Sequence, residues 1–304
     1  MTRAVVDRLT VVVPTWETAD LTTRCVSALR SDGVPEQRIV VVDNGSRDST
    51  HEELLARLPG CRIVRLPENI GYAGAANEGA AALPGEAYLI LNNDAFVHRQ
   101  GSVAALLGAL ADERVGIVVP RVLNEDLTLQ HTVAPTHRPG AAIARSSGLS
   151  RLIPDRFQPH WSTHWLHDES REIEGADGPV VLVRARTWDA LDGFDTTIYM
   201  YAEDLDLCWR ARRLGWRIWF ARDAEFVHLG NRSSGRYWSE PKRAEMIGRS
   251  EGDMIRRHLP RLSSRATIAA IAAGVAARAL LFTIVRNRRA AAALRAYMRG
   301  LFRG

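Results

Sequence analysis

The chain predicts an α/β fold built on a mostly parallel sheet, followed by a helical C-terminal tail. Three observations predict it. The β-branched and apolar runs at residues 9–13, 39–42 and 88–91 show no polar alternation, so each strand should be covered on both faces. The segments between them place apolar residues at helical spacing, the alternation that builds parallel βαβ units. The runs also end alike: each delivers polar or acidic residues (Thr15 to Glu17, Asp43, Asp94) to the carboxyl edge, where open α/β sheets bind ligands.

Taken in order, Leu9-Thr10-Val11-Val12-Val13 reads as the first strand, closed by Pro14 and a loop through Thr15-Trp16-Glu17. Leu21, Cys25, Ala28 and Leu29 then recur at helical spacing to about Arg30. A second strand at 39–42 ends in Asp43-Asn44-Gly45-Ser46, and Asp48-Ser49-Thr50 can cap the helix that holds Leu54, Leu55 and Leu58. Residues 62–66 read as a third strand. Asn69-Ile70-Gly71-Tyr72-Ala73-Gly74 opens a small-residue helix to about Ala82, and the strand into Asp94 follows. A helix around 103–110 and a strand at 115–119 complete a Rossmann-like, nucleotide-binding half over residues 1–120.

Residues 121–135 read as a hairpin or irregular strand pair. Pro139-Gly140, Ser146-Ser147-Gly148, Pro154 and Pro159 then break regular structure over 136–172, and His160, Trp161, His164, Trp165 and His167 crowd the end of that stretch. A segment this long inside a compact domain predicts a lid or acceptor loop, and three histidines on an irregular loop are a weak case for a metal site. Beyond it come a buried strand at 180–183, a short helix to Leu191, a turn at Asp192-Gly193-Phe194-Asp195 and a helix from Glu203 to Gly215. Two short strands at 217–221 and 225–229 follow. The expected division is a catalytic domain at 1–260, with halves at 1–120 and 121–260, and a basic tail at 261–304.

Composition narrows the function classes. Three widely spaced cysteines, with no CxxC or Cys/His cluster, indicate neither a disulfide framework nor a zinc site. Met1 to Arg8 lacks the apolar core of a signal peptide, so a cytoplasmic location is expected. The net charge of +5 hides an asymmetry: eleven of the 40 basic residues and none of the 35 acidic ones fall after Met254, leaving the first 253 residues at −6. Basicity confined to a tail of Ala, Leu and Ile, without stacking aromatics, argues against nucleic acid as a partner.

Several residues carry candidate chemistry. Asp94 offers a hard oxygen ligand, and Asn92 and Asn93 can hydrogen-bond sugar or phosphate oxygens, a combination suited to a divalent cation on a diphosphate; a strand-ending turn is the plain alternative. Asp43 belongs to a turn-forming Asp-Asn-Gly-Ser and could also accept the imide N–H of a pyrimidine. Asn69 and Gly71 let backbone approach an anion at a helix N-terminus. Glu203 and Asp204 cap a helix, and the first turn is also where a carboxylate can be rigid and still face a cleft, as a general base requires. Asp206 stands four residues before Arg210, the spacing of a structural ion pair. His228, between Val227 and Leu229, is a core histidine unless the fold brings it to Asp94.

An ordered set of these segments carries a resemblance. Pro14-Thr15-Trp16-Glu17, Asp43-Asn44-Gly45-Ser46, Asn69-Ile70-Gly71-Tyr72 with Asn77-Glu78-Gly79, Asn92-Asn93-Asp94, Gly193-Phe194-Asp195, Glu203-Asp204-Leu205-Asp206-Leu207 and His228 together resemble the family 2 glycosyltransferases of GT-A fold, in their rhamnosyltransferase-like branch, over about residues 9–235. The resemblance implies that Pro14, Thr15 and Glu17 line the nucleotide pocket, that Asp43 reads uracil or thymine, and that Asn69, Gly71, Asn92 and Asn93 lie near the donor. It implies Asp94 and His228 as ligands of Mg2+ or Mn2+, Asp204 as general base, and Trp165, Tyr201 and Glu203 toward the acceptor. In place of the family's DxD the chain has Asn-Asn-Asp, with one acidic ligand left. The implied reaction is inverting transfer of a sugar, with L-rhamnose foremost, from a dTDP- or UDP-sugar to a glycan or lipid-linked cell-envelope acceptor. A nucleotidyltransferase is the alternative enzyme, but it needs a basic residue on the triphosphate near the first loop, and 14–20 contain none. A non-catalytic sugar-nucleotide-binding protein is the alternative outside catalysis.

The tail has its own chemistry. Residues 266–285 are apolar except for Thr267, Arg278 and Thr283, long enough to cross a bilayer. Arg278 would cost about 2.5–3.5 kcal/mol at a helix centre, and alanine offsets that poorly. Amphipathic helices on an anionic membrane surface are therefore expected, with ordinary helix packing as the competing reading.

Overall fold

The computed structural model describes residues 6, 8–133, 139–146, 165, 167–198, 200–230 and 239–303. In chain order these form β1 (Leu9–Thr15), α1 (Ala19–Ser31), β2 (Ile39–Asp43), α2 (Thr50–Arg57), β3 (Arg62–Arg65), α3 (Gly71–Ala82), β4 (Ala87–Leu91), β5 (Ala95–Val97), α4 (Ser102–Ala109), β6 (Val115–Leu123), β7 (Leu129–Gln130), α5 (Pro139–Ser146), β8 (Arg171–Ile173), β9 (Val180–Arg184), α6 (Ala185–Leu191), α7 (Glu203–Arg213), β10 (Arg217–His228), α8 (Glu240–His258), α9 (Arg261–Ile284) and α10 (Arg288–Phe302).

Two compact units result. The first comprises Met1–Val133, Trp165–Tyr199 and Glu203–Ser233; the second comprises Ala134–His164, Met200–Ala202 and Ser234–Gly304. Packing thus divides the chain elsewhere than at 260/261, because α8 and α5 share a core with the tail helices.

In the first unit the sheet runs β3-β2-β1-β4-β9-β6-β10-β5, with β7 beside β6 and β8 beside β10. From β3 to β4 every pairing is parallel. β9 then enters antiparallel between β4 and β6, while β6 and β10 are again parallel. The absence of polar alternation in β1 has its expected cause. Leu9, Val11 and Val13 pack on one face with Cys25, Val26 and Leu29 of α1, whereas Val12 packs on the other with Ala76 and Ala80 of α3. Pro14 is tolerated inside a central strand because the β1–β4 ladder stops at Val12.

Two readings are corrected here. The expected pair of strands at 217–221 and 225–229 is one long strand, β10, which shifts register against β6 between Ala221 and Glu225. Pro139-Gly140 does not break structure but begins α5, as proline at the start of a helix allows. Residues 147–164 of the expected lid, including His160, Trp161 and His164, lie outside the described residues, whereas its end is ordered structure, with β8 beginning at Arg171. The hairpin reading of 121–135 holds in part, with β7 returning against β6 at Leu123 and Leu129.

The second unit packs α5, α8, α9 and α10 around Ala142, Ile255, Ile268, Ile271, Val275 and Leu301. Arg256 Nη1 donates to the Leu301 carbonyl at 3.0 Å, tying α8 to the end of α10.

Candidate active site

The carboxyl ends of β1 and β2 lie side by side, with Thr15 opposite Asp43. Their loops are laced together. Glu17, at φ 53°, donates its backbone N–H to Ser46 Oγ at 2.9 Å, and Asp43 Oδ1 accepts from the Ser46 N–H at 3.0 Å. The Asn44 side chain donates to Asn69 Oδ1 and the Gly71 carbonyl, both at 3.1 Å, and accepts from the Ile70 N–H at 3.0 Å. Asn69 Oδ1 also accepts from the Gly71 N–H at 3.0 Å. Only glycine fits at 45: its φ is +72°, and a Cβ would stand 2.5 Å from the Glu68 carbonyl carbon. Asp43 is wholly buried, and its Oδ2 has no hydrogen-bond partner although His51 Nδ1 stands 3.3 Å away. Arg65 Nε also stands 3.9 Å from Oδ2, so this oxygen has two basic neighbours but no hydrogen bond, beside the turn that Asp43 also forms.

The loop after β4 divides its three residues among different tasks. Asn92 donates its backbone N–H to the Pro179 carbonyl at 2.8 Å. Asn93 Nδ2 is engaged by the hydroxyls of Thr15, Thr18 and Thr22 at 3.0, 2.6 and 3.1 Å, so its amide ties β1 and α1 to the loop. Asp94 is 2% exposed and its Oδ1 lies 3.2 Å from His228 Nε2. The two meet because β5 pairs antiparallel with β10, setting Ala95 opposite His228, and because the Leu229 N–H donates to the Asp94 carbonyl at 3.0 Å. On the far side of the ring, His228 Nδ1 lies 3.1 Å from Gln130 Oε1. In the tautomer that donates the Nδ1 proton to Gln130, Nε2 would turn its lone pair toward Asp94. Two electron-pair donors 3.2 Å apart suit a hard divalent cation or a proton between them. Among the described residues no group of three or more His, Cys, Asp or Glu side chains gathers, so this pair is an open site.

Asp204 is held at the start of α7, where its Oδ2 accepts from the Gly178 N–H at 2.7 Å and its Oδ1 from the Leu205 N–H at 2.8 Å. Gly178 and Pro179 lead into β9, which pairs with β4, so one short segment touches both the Asp94 loop and Asp204. Burial pushes the Asp204 carboxyl well above its ordinary range, and the nearby charges of Asp177 and Glu203 add to the effect. Glu203 is 8% exposed with Oε2 unpartnered, and burial raises it to about 7, with Asp177 contributing. The Tyr72 hydroxyl, pushed up by burial, also feels the charges of Glu203, Asp204 and Asp94. Asp206 is a structural residue, as its spacing predicts: Arg210 Nε binds its Oδ2 at 2.6 Å and carries the guanidinium to the Leu191 and Gly193 carbonyls.

A family model described as Glycosyl transferase family 2 matches residues 10–166. The chain belongs to this family. N-acetylglucosaminyl-diphospho-decaprenol L-rhamnosyltransferase of Mycobacterium tuberculosis is 28% identical over 245 residues, covering 76% of this chain and 78% of its own length. Pre-mycofactocin glycosyltransferase of the same organism is 27% identical over 251 residues, covering 82% of this chain and 48% of its own length. Among solved structures, the mannosyltransferase PcManGT from Pyrobaculum calidifontis, in complex with GDP-Man and Mn2+, superimposes with a TM-score of 0.60 at 20% identity, covering 97% of this chain and 87% of that one. GalNAc-T7 with UDP, GalNAc and Mn2+ gives 0.54 at 14% identity, covering 79% and 48%. The fold is GT-A.

In this family 2 glycosyltransferase, Pro14, Thr15, Glu17, Asp43, Asn69 and Gly71 share the β1–β2 edge, and Asp94 meets His228. Other predicted site residues are placed differently. Trp165 is packed into the sheet unit, stacked on His167 with ring centroids 4.3 Å apart and edge-on to Phe220 at 4.8 Å. His167 is fully buried with His131 edge-on at 5.5 Å, and burial, with His131 adding to the effect, holds its imidazole down at about 4, so the ring is neutral. Tyr201 belongs to the helical unit through the segment Met200–Ala202, and it and Ala202 both adopt left-handed backbone, φ 68° and 69°, directly before Glu203. Two successive non-glycine residues there are strained. Three residues beside the candidate site groups, Gln130 at His228 and Asp177 and Tyr72 near the carboxylates, escaped the sequence reading. Gln130 sits in a two-residue strand, Asp177 in an irregular turn, and Tyr72 in a motif that carried no role of its own. Only the spacing of Asp177 before a buried strand could have drawn notice.

Proposed function

We propose that this chain transfers a sugar, with L-rhamnose foremost, from a dTDP- or UDP-sugar to a hydroxyl of a lipid-linked cell-envelope glycan, with inversion at the anomeric carbon, at the inner face of the cell membrane. One observation carries the reading. The open Asp94–His228 pair and the proton-attracting Asp204 are both tied to the 177–179 segment at the carboxyl edge of a nucleotide-binding type of sheet. The mycobacterial N-acetylglucosaminyl-diphospho-decaprenol L-rhamnosyltransferase supports rhamnose and a polyprenyl-diphosphate acceptor.

Asp94 and His228 would hold a divalent ion, Mg2+ or Mn2+, with its remaining positions open to the donor. When bound, that ion offsets the charge that develops on a diphosphate leaving group. Asp43 Oδ2 would accept the imide N–H of the pyrimidine, and Gly71 would let the α3 N-terminus approach phosphate. Asp204 would take the proton of the acceptor hydroxyl as that oxygen attacks opposite the diphosphate, with Glu203 near the acceptor. A single displacement needs no protein nucleophile, so one base suffices. Calorimetric titration of dTDP and UDP, each with and without Mn2+, tests the donor side. Nucleotide binding that requires metal, and that Asp94→Ala abolishes, is the expected result. Absence of binding by either nucleotide would overturn the assignment.

A further inference from the structure

We infer that the outward face of α9 is a docking surface for an anionic lipid bilayer, on which the helix lies in the plane of the membrane. This deepens the membrane location proposed above, and its test makes no use of sugar transfer. The helix is apolar on two sides. Ile268, Ile271, Val275 and Ala279 form the buried stripe, the first three in the core shared with Ala142, Ile255 and Leu301. On the opposite side Leu262, Ala266, Ala269, Ala273, Ala276, Leu280 and Ile284 recur at three- and four-residue steps and all are exposed, Leu262 at 81% and Ile284 at 68%. Leu281 and Val285 widen the stripe at its C-terminal end, at 55% and 60%. A 24-residue helix is about 36 Å long, so the uncovered stripe is far larger than scattered surface leucines would make.

Charge decides the occupant. Arg261 and Arg265 stand at one end of the stripe and Arg286, Arg288 and Arg289 at the other, and none has an acidic partner among the described residues. No Asp or Glu occurs after Asp253 to complement them from a second copy of the same surface, so self-association would set like charges together. Anionic headgroups supply the missing countercharge, while the apolar stripe sinks to the acyl boundary and the arginine stems snorkel. A transmembrane position would demand that the opposite stripe leave Ile255 and Leu301. Length and apolar composition allow a span, but the packing of the other face favours the surface. By contrast Arg299 and Arg303 face Glu245 and are excluded from the docking set.

The test is co-sedimentation of the full chain with vesicles of phosphatidylcholine alone and of phosphatidylcholine mixed with phosphatidylglycerol. Binding to the anionic vesicles only, weakened by salt, is expected. Arg286→Glu, Arg288→Glu and Arg289→Glu together should lower partition on the order of a hundredfold. Leu280→Gln, Leu281→Gln and Ile284→Gln together should lower it comparably while salt sensitivity persists, and thermal melts verify that both variants fold. Failure of the unaltered chain to bind anionic vesicles would overturn the proposal without touching the transferase reading. Retention in native membranes after carbonate extraction would replace docking with a span. A dimer in solution dissolved by the leucine variant would assign the face to a second copy instead.

Discussion

Asp94 and Asp204 belong to the same sheet unit and are linked through the same short turn, yet their surroundings are opposite. Asp94 faces an imidazole whose far nitrogen is anchored by Gln130, with one carboxylate oxygen and one ring nitrogen 3.2 Å apart. Asp204 faces Glu203 and Asp177, and the groups that hold it are backbone N–H donors. An imidazole nitrogen beside a carboxylate is an arrangement that suits a cation. Like charges and burial make a carboxylate that takes a proton. Under the proposed reading, one residue type would serve two roles because the neighbours differ.

The largest effect should come from breaking the second station. Asp204→Asn preserves the side-chain oxygen but removes the proton acceptor, so turnover should fall by about 10²–10⁴ while metal-dependent nucleotide binding persists. Loss of binding with turnover would mean that the two stations are not separable. Next comes the support of the first. Gln130→Ala frees the His228 ring, and apparent metal affinity, measured by nucleotide binding against Mn2+ concentration, should weaken about tenfold or somewhat more. An unchanged metal dependence would show that Gln130 does not orient the ring.

The smallest effect is a displacement along the pH axis. Glu203 carries its proton up to about 7 in the fold, against an ordinary value of about 4.3 when unfolded. Between those values the native state binds a proton that the unfolded state has lost. Stability is therefore full below the unfolded value and declines as pH rises through about 7. Denaturant titrations should show that Glu203→Gln flattens this decline. The same variant removes a negative charge beside Asp204, so the acidic limb of kcat/KM should move to lower pH. A limb that stays in place would remove Glu203 from the electrostatics of the base.

Legibility from sequence follows interaction range. β1, β2 and β4 were readable because burial on both faces removes polar alternation locally, and Asp206 was readable because its partner is four residues away. Direction was not readable. β9 looks like any buried strand, yet it runs antiparallel between β4 and β6 and carries Gly178 to Asp204. Trp165 and Asn93 were read as facing ligands, and packing gives them stacking and hydroxyl partners within the unit.

By itself the sequence determined the α/β class, the polar strand ends, the ordered motifs of the family and the separation of an acidic body from a basic tail, since each is set by local pattern or by composition. Tertiary structure alone decided that His228 meets Asp94, that Asp177 and Glu203 crowd Asp204, and that one stripe of α9 is buried while the other is bare. Those facts depend on register between strands and on which helix faces find partners, and such long-range contacts leave no periodic trace along the chain.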